Sequence, residues 1–534
     1  MGLAVLDTGA PKKFPHPSSA SAQALFLGLL CLGTFGAGLS GGFVLDDKLA
    51  LLQHPVVQQT APLADAFRLN FWGEPLGNDP PSYRPLTTLS FALDHRLFGG
   101  SALAFHLSSL FWYIALALVA WLFARRCLAP GAALLATAFF VVMPVHVENV
   151  SSLVGRADTL AVLFCLLALL ALPPGWVEGE PPAAWRLVLA ALAFAAGLLC
   201  KESVAVLPVI VGALIQFRRT RWTVRVPFVR AHLPSLVLLT TLGLYFAVRL
   251  SLQPNSFGYT SDDDVLVGAG LWEKIGYWLA LLARYVRLVV APTTLCTGRK
   301  YAEVFRPSNL SLTIVAGLGL VAAVVFATWR DARRGGLPFV LSACLAWLLM
   351  TGILFAIPES MADRYLLLPS LFLCYALGPA LLTVWNKGLA PRAALLTALG
   401  LQVVLSTRQA RTWRDEGTLW AHAALVCPDS AHNHFRYAQY LSQQGETAEA
   451  VWHYAVFTRA RHAFPYAWSH PAREEERSMP VEQRLREMHR LLKVDLDEGR
   501  WRGRFASYLR SMTRWREANL VIATSPQNPS LPGE

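Results

Sequence analysis

Charged residues are scarce in this chain. Asp, Glu, Lys and Arg make up 15% of its 534 residues, whereas a soluble protein usually carries about 25%. Hydrophobic residues make up 54%, and they recur in runs of about 20 residues, long enough to cross a hydrocarbon core of about 30 Å. This composition excludes an ordinary soluble domain and predicts an all-α polytopic membrane protein.

Cysteine is also sparse, and its spacing carries no pattern. Six of the eight cysteines fall in or beside apolar segments, and Cys296 and Cys427 are isolated. No two cysteines form a CxxC pair. The sequence therefore predicts neither a zinc site nor a disulfide framework.

Acidic residues are too few to balance the basic ones, which leaves a net charge of +12. In a soluble protein this excess would suggest a nucleic-acid partner. Here the basic residues cluster in short loops between apolar segments, as in the cytoplasmic loops of membrane proteins. We therefore expect no nucleic-acid partner, and we place four clusters in the cytoplasm: Arg125-Arg126, Arg218–Arg230, Arg330–Arg334 and Lys387–Arg392.

The apolar runs predict about eleven transmembrane helices. They cover residues 20–40, 104–124, 130–147, 157–172, 184–200, 203–217, 232–250, 309–328, 337–356, 362–384 and 391–407. The segment 275–290 is also apolar, but it contains Arg284 and Arg287, which are unfavourable at a bilayer centre. All four basic clusters face the cytoplasm only if this segment does not cross. We therefore predict that it is re-entrant or interfacial.

These spans divide the chain into three parts. Residues 1–19 form a cytoplasmic tail, and the first span has no convincing cleavage site after it. Residues 20–407 form the membrane domain, with a long first outer loop at 41–103. Residues 408–534 are predicted to be a soluble, outward-facing helical domain. In this domain Pro428 and Pro465 bracket a helix–turn–helix pattern close to the 34-residue tetratricopeptide (TPR) period, although a generic helical hairpin fits as well.

The acid pair Asp46-Asp47 stands out at the start of the first outer loop, about six residues beyond the first span. With an eleven-span topology, other polar residues at span ends share this outer face. They are Arg84, His146, Glu148, Arg156, Asp158, Lys201, Glu202, Arg364 and Tyr365. Any one of them could simply anchor a helix end. Their convergence on one face predicts a site.

Such a set of residues suits transfer from a lipid-phosphate donor. A hydroxyl acceptor needs a carboxylate base, for which Asp46 and Asp47 are the candidates. A phosphate leaving group needs cations, and the candidates are Arg84, Arg156, Lys201 and Arg364. His146 and Glu148 are predicted to position the acceptor or to bind a divalent cation. The sequence leaves the metal requirement undetermined.

Several sequence blocks resemble one family in their order along the chain. They are FVLDD, SYRPLTTLSF followed by Phe105-His106, MPVHVENVSSLVGRADTLA, CKES, ARYVRLVVAPTTLC, and ADRYLLLPS at 362–370. Together with the TPR-like tail, they resemble the transmembrane and TPR repeat-containing protein O-mannosyltransferases over roughly residues 40–460.

This resemblance implies a glycosyltransferase fold of the GT-C type. It implies a polyprenyl-phosphate sugar, mannose in that family, as the donor, and a Ser or Thr hydroxyl of a protein as the acceptor. By the same resemblance the catalytic base lies in the acid pair, with Asp46 favoured. The TPR-like domain would bind a protein acceptor or partner.

Three alternatives stay open at this point. The short tail allows a lipid or glycan acceptor, a transporter would also be polytopic, and a membrane scaffold would use the TPR-like tail alone. The Ala, Leu, Arg and Pro bias predicts a bacterial inner membrane with a periplasmic active site. The alternative is the endoplasmic reticulum membrane with a luminal one.

Overall fold

A computed structural model describes residues 20–77, 82–178, 182–219, 226–254, 270–298, 307–334, 337–348, 351, 361–428, 430–446 and a few positions up to 456. Over these residues the regular elements are helices, apart from an isolated bridge between Leu69 and Pro75. The predicted all-α class is therefore confirmed for the described part of the chain.

The α-helices, numbered in chain order, are α1 Ala20–Phe35, α2 Pro85–Phe98, α3 Ala102–Cys127, α4 Pro130–Val141, α5 Val147–Ser151, α6 Arg156–Ala171, α7 Ala184–Cys200, α8 Leu207–Arg219, α9 Phe228–Ala231, α10 Leu233–Leu252, α11 Leu271–Val290, α12 Pro307–Arg334, α13 Phe339–Leu348, α14 Leu367–Trp385, α15 Leu389–Thr412, α16 Glu416–Val426 and α17 Ala431–Gln443.

Every predicted span coincides with a helix, but the helices differ in length. In the described part of the chain, seven helical stretches are long and apolar enough to cross a membrane: Ala20–Ser40, Ala102–Cys127, Leu153–Ala171, Leu233–Leu252, Leu312–Asp331, Asp363–Trp385 and Leu389–Thr412. The predicted spans 184–200 and 203–217 correspond to shorter helices, and the described part of 337–356 contains the helix Phe339–Leu348. These stretches support the predicted polytopic membrane protein.

The predicted span 130–147 is broken. Helix α4 and the stretch Pro144–Ser151 meet at an angle of 57°, and together they would make an eighth span. The break is caused by Pro144, because proline disfavours the helical conformation of the residue before it. Met143 is accordingly extended, with φ −65° and ψ 128°. The residues after the break are thereby turned away from the helix axis.

The segment 275–290 lies within the continuous 20-residue helix α11. Its buried residues Tyr277, Leu281, Tyr285 and Leu288 share one face, and they pack on the main hydrophobic core. An unbroken helix fits the interfacial alternative better than a re-entrant pair. The predicted topology of this segment remains a prediction.

The centre of the bundle is formed by α3, α4, α6, α7 and α14, which pack on one another. Close packing there relies on small residues. At Gly378 of α14, an added Cβ would lie 3.0 Å from the backbone oxygen of Ala132. Helices in membranes commonly approach one another through such small residues.

The first outer loop is folded rather than extended. Short helical turns occur at Gly36–Ser40, Lys48–Leu52 and Leu63–Phe67. The loop has its own hydrophobic cluster, which joins it to α2, α3 and the residues before α6: Ala50, Leu51, Val57, Phe71, Phe91, Phe105 and Leu153. The acid pair is therefore held by packed structure on several sides.

The expectation that Cys296 and Cys427 are isolated was wrong. They form a disulfide across 131 residues of sequence. Such a separation leaves no local spacing pattern, and only the fold brings the two residues together. Disulfides persist in oxidising compartments, which fits the predicted placement of both residues on the outer side.

The predicted helical hairpin after residue 408 is present in its first part. Ser430 caps α17 by accepting a hydrogen bond from the Asn433 N–H, 3.3 Å. Gly445 makes the predicted turn with φ +81°. Most of the second helix of the TPR-like unit and all of residues 457–534 lie outside the described residues, as does the tail 1–19.

Candidate active site

The predicted site residues meet around one stretch, residues 143–158, which we call the connecting segment. Asp47 from the first outer loop binds it at Val154. Lys201, which follows α7, binds it at Asp158. Arg364, before α14, binds it at Glu148. Three regions that are distant in sequence thus converge on this segment.

A glycine allows the connecting segment to fold on itself. A Cβ added at Gly155 would lie 2.4 Å from the backbone oxygen of Glu148 and 2.8 Å from the Cα of Asn149. Both neighbours are backbone atoms, which cannot move aside as a side chain can. The absence of a side chain at Gly155 therefore allows the start of α6, which carries Asp158, to pack directly against α5, which carries Glu148.

The two acids of the pair differ sharply in environment. Asp47 is fully buried, and its carboxylate accepts hydrogen bonds from the Val44 and Val154 N–H groups, each 3.1 Å long. Burial raises the pKa of Asp47 to about 7, although these two hydrogen bonds favour the ionised form. We call residues 42–50, which carry the acid pair, the acid turn. Asp47 therefore joins the acid turn to the connecting segment.

Asp46 is exposed on the same turn. The residue before it, Leu45, has φ +53°. A left-handed backbone is unfavourable for a leucine and persists only where the surroundings enforce it. The turn thus presents Asp46 to the outside while Asp47 points inward. This arrangement makes Asp46 the accessible carboxylate of the pair.

Lys201 and Arg364 are both paired with carboxylates of the connecting segment. The Lys201 Nζ lies 2.6 Å from the Asp158 Oδ2, and both side chains are buried. The Arg364 guanidinium donates to the Glu148 Oε1, and its backbone N–H donates to the Glu148 Oε2 over 3.0 Å. Arg364 also lies against the Tyr365 ring. Its side chain remains 22% exposed, so it can still reach a ligand.

Arg84 forms no ion pair within the described residues, although its charge acts on the Glu202 carboxylate. Its guanidinium lies over the Phe71 ring, 4.8 Å from the centroid. Its Nε is buried and has no hydrogen-bond acceptor in the described structure. Arg84 immediately precedes α2, and the first turn of that helix contacts the end of α7, where the Thr87 Oγ1 donates to the Cys200 backbone oxygen over 3.1 Å.

These cations influence one another. Burial lowers the pKa of Lys201, the charge of Asp158 raises it, and the positive charges of Arg84 and Arg364 lower it further. Arg84 directly precedes α2, and Lys201 follows Cys200, which accepts the hydrogen bond from Thr87 in the first turn of that helix. A helix N-terminus with nearby cations attracts anions, and the arrangement is suited to a phosphate.

Two predicted site residues have other environments. Arg156 is fully buried: its guanidinium pairs with Asp94 at 2.5 Å and donates to the Phe105 backbone oxygen and the Ser109 hydroxyl. His146 is also fully buried, with its ring nitrogens on the Tyr113 and Ser370 hydroxyls at 2.8 and 2.9 Å. Both side chains therefore lie inside the helix bundle, with their polar groups paired to protein groups.

The roles predicted for Arg156 and His146 stay predictions, but the contacts of both side chains are with protein groups. The guanidinium of Arg156 faces protein groups rather than a phosphate. His146 does not combine with Glu148 as metal ligands do. The break at Pro144 places His146 inside the helix bundle, a position that the spacing of polar residues does not reveal.

Sequence reasoning missed Arg249. It lies in the last turn of α10, is 5% exposed, and its NH1 lies 3.3 Å from the Glu202 Oε2. Burial raises the pKa of Glu202, but the charges of Arg249, Arg84 and Lys201 outweigh this effect and lower it to about 2. An arginine at the outer end of an apolar helix was the available signal for Arg249.

The described residues include no group of three or more His, Cys, Asp or Glu side chains placed to hold a metal ion. The metal requirement, which the sequence leaves undetermined, therefore stays open, and these residues offer no metal-binding group of that size.

A family model supports the resemblance seen in the sequence. The model described as dolichyl-phosphate-mannose-protein mannosyltransferase matches residues 79–252. This range contains the SYRPLTT, GRAD and CKES blocks, and the site residues Arg84, Asp158 and Lys201 are among those that lie in it.

Curated relatives extend the similarity along the chain. Protein O-mannosyl-transferase TMTC4 of Mus musculus is 28% identical over 508 residues, covering 84% of this chain and 67% of that protein. Protein O-mannosyl-transferase Tmtc2 of Drosophila melanogaster is 33% identical over 289 residues, covering 52% of this chain and 30% of that protein. The predicted resemblance to this family is confirmed, and these names support the glycosyltransferase class.

Among solved structures, ArnT from Cupriavidus metallidurans bound to undecaprenyl phosphate is similar in fold. It is 14% identical with a TM-score of 0.40, and the match covers 83% of this chain and 77% of ArnT.

Proposed function

We propose that this protein is a membrane glycosyltransferase that moves a sugar from a polyprenyl-phosphate donor to a hydroxyl group. The observation that carries the proposal is Arg84 at the N-terminus of α2, with Lys201 next to the Thr87–Cys200 contact and the charge of Arg364 acting on Lys201. Arg84 has a buried Nε without an acceptor in the described structure. A lipid phosphate would supply the missing acceptor and the negative charge.

In this proposal the acid turn supplies the base. The carboxylate of Asp46 takes the proton of the acceptor hydroxyl. The acceptor oxygen then forms a bond to C1 of the sugar while the bond from C1 to the phosphate oxygen breaks. One displacement of this kind inverts the configuration at C1. The lipid phosphate leaves with the electron pair, and Arg84 and Arg364 neutralise its charge.

Other predicted residues take positioning roles. Asp47 holds the acid turn on the connecting segment. Asp158 and Glu148 orient Lys201 and Arg364 through their ion pairs. Arg156 fixes the start of α6 against α2 through Asp94. These roles explain why charged residues lie in buried positions, where an unpaired charge would be strongly unfavourable.

The names of the relatives point to mannose as the sugar and to a protein Ser or Thr hydroxyl as the acceptor. The reaction would occur on the outer face of the membrane, periplasmic in a bacterium or luminal in the endoplasmic reticulum. The hairpin of α16 and α17 would belong to a domain that binds the acceptor or a partner. A lipid or glycan acceptor is the alternative.

The test is transfer of labelled mannose from polyprenyl-phosphate-mannose by the purified, reconstituted protein. Acceptors would be offered separately as a Ser/Thr-rich peptide and as a membrane lipid fraction. Label in the peptide supports the full proposal, and label in lipid alone changes the acceptor. If wild-type protein transfers no label from polyprenyl-phosphate-mannose or from polyprenyl-phosphate-glucose to either acceptor, the proposal is wrong.

A further inference from the structure

The C-terminal hairpin, defined here as α16 and α17 with the turn between them, contacts the acid turn directly. The Lys48 Nζ lies 2.6 Å from the Glu416 Oε1. The Gly42 N–H donates to the backbone oxygen of Arg414, just before the hairpin, over 2.8 Å. The side chain of Leu45 packs against the hydrophobic cluster that contains Trp420. Three contacts thus surround Asp46 and Asp47 in sequence.

The same hairpin is fastened to a second outer segment, residues 291–298. The His422 Nε2 lies 3.0 Å from the Leu295 backbone oxygen. The Ser430 hydroxyl donates to the backbone oxygen of Gly298 over 3.5 Å. Between these two contacts lies the Cys296–Cys427 disulfide. The hairpin is therefore attached covalently on one side and touches the acid turn on the other.

The conformation of the acid turn needs outside support. Leu45 has φ +53°, which a leucine adopts only where surrounding contacts enforce it. Its side chain belongs to the cluster that contains Cys296, Trp420, Ala423 and Cys427. Both cysteines of the disulfide belong to this cluster. The disulfide therefore stabilises the same cluster that supports Leu45.

We propose that the C-terminal hairpin, fixed by the Cys296–Cys427 disulfide, is a positioning element that holds the acid turn in its working conformation. Glu416 and Trp420 are its positioning residues. The inference rests on the proposed function only for its effect on catalysis. Its structural part, that the hairpin restrains residues 42–50, is independent of any activity.

The structural part is tested by hydrogen–deuterium exchange on the full-length protein in detergent. The Cys296→Ser/Cys427→Ser double variant is compared with wild type, with Cys344→Ser as the control for replacing a half-buried cysteine. We expect exchange at residues 42–50 to become at least about tenfold faster in the double variant, with α2 unchanged. Unchanged exchange at 42–50 in a folded double variant would overturn the proposal.

A milder variant covers the case in which the double variant does not fold. Glu416→Gln removes the charge that meets Lys48 and leaves the disulfide in place. The matched control is Glu446→Gln, an exposed glutamate beyond α17. Since exposed ion pairs are weak, we expect a two- to fivefold faster exchange at 42–50 for Glu416→Gln and none for the control. Equal exchange in both variants would contradict the role of Glu416.

Kinetics separate this inference from the proposed function. If both hold, Glu416→Gln lowers kcat for sugar transfer two- to fivefold and leaves the donor KM unchanged, because the hairpin contacts the acid turn and not the cations. Faster exchange with no transfer by wild-type protein would leave the restraint standing and reject the glycosyltransferase. A rise in donor KM without a change in kcat would instead overturn the positioning role.

Discussion

The carboxylate of Asp47 accepts a 3.1 Å hydrogen bond from the backbone N–H of Val154, which lies 107 residues further along the chain. This bond joins the first outer loop to the connecting segment, where Asp158 and Glu148 hold Lys201 and Arg364. The acid turn and the cation group are thus parts of one structure. Each of the following predictions changes one contact of that structure.

The exposed acid should matter for chemistry and the buried one for position. Asp46→Asn should lower kcat by about 10² to 10⁴-fold, which is the usual contribution of a general base, with little change in donor KM. Asp47→Asn should lower kcat less, by about tenfold, because the amide keeps the shape but disturbs one of two N–H contacts. Steady-state kinetics with polyprenyl-phosphate-mannose measure both. A larger loss of kcat for Asp47→Asn than for Asp46→Asn would mean that Asp47 is the base and Asp46 the positioning residue.

The buried acid should also make stability depend on pH. The folded pKa of Asp47 is raised from 3.8 to about 7, so the folded protein keeps a proton that the unfolded chain has lost. The stabilisation is therefore present at low pH and is lost as pH rises through 7. Fully ionised, Asp47 would destabilise the fold by on the order of 4 kcal/mol.

We therefore expect the Tm of wild-type protein to fall between pH 5 and pH 7 in thermal unfolding, where the unfolded chain has lost the proton that folded Asp47 still holds. Asp47→Asn should have a flatter profile in this range, because it no longer titrates. Asp46→Asn serves as the matched control, since it replaces the exposed neighbour and should keep the wild-type slope. The same slope in all three proteins would mean that Asp47 is ionised throughout.

Arg84 and Arg156 were both predicted from the sequence to bind phosphate, but we expect their substitutions to have different effects. Arg84→Gln should raise the donor KM by about 10- to 100-fold, the loss of one charge-assisted hydrogen bond to a phosphate, and should leave the Tm unchanged. Arg156→Gln should yield little folded protein, because it leaves Asp94 buried without its partner, a loss of about 3–5 kcal/mol. Size-exclusion profiles and donor titrations decide between these outcomes. A folded Arg156→Gln protein with a raised donor KM would restore its predicted phosphate role.

Gly155 should tolerate no side chain. In Gly155→Ala the new Cβ would collide with the backbone oxygen of Glu148 at 2.4 Å, so α5 and α6 would have to separate. We expect a clearly lower Tm and yield. Gly100→Ala is the matched control, since a Cβ there meets nothing within 4 Å. Similar Tm values for the two variants would show that the connecting segment can relax.

Much of the overall organisation was predictable. Runs of apolar residues determine where helices lie, because each backbone polar group must be satisfied inside a bilayer. The break at Pro144 was not predicted, since residues 130–147 were expected to form one span, whereas Ser430 and Gly445 mark the two ends of α17. The order of the sequence blocks predicted the resemblance to the O-mannosyltransferases. The outer location of the acid pair is a prediction from charge placement.

Tertiary structure decided what each charged residue does. Hydropathy treats Arg156 and Arg84 alike, yet one pairs with Asp94 inside the bundle and the other keeps a guanidinium nitrogen without an acceptor. The partners lie 62 to 216 residues apart for the buried pairs Arg156–Asp94 and Arg364–Glu148, so local pattern carries no trace of them. The Cys296–Cys427 bond is hidden for the same reason. The sequence by itself predicted which charged residues lie on the outer face of the membrane. Burial and pairing, which only the packed helices produce, decided which of those charges are used to hold the fold and which remain for a ligand.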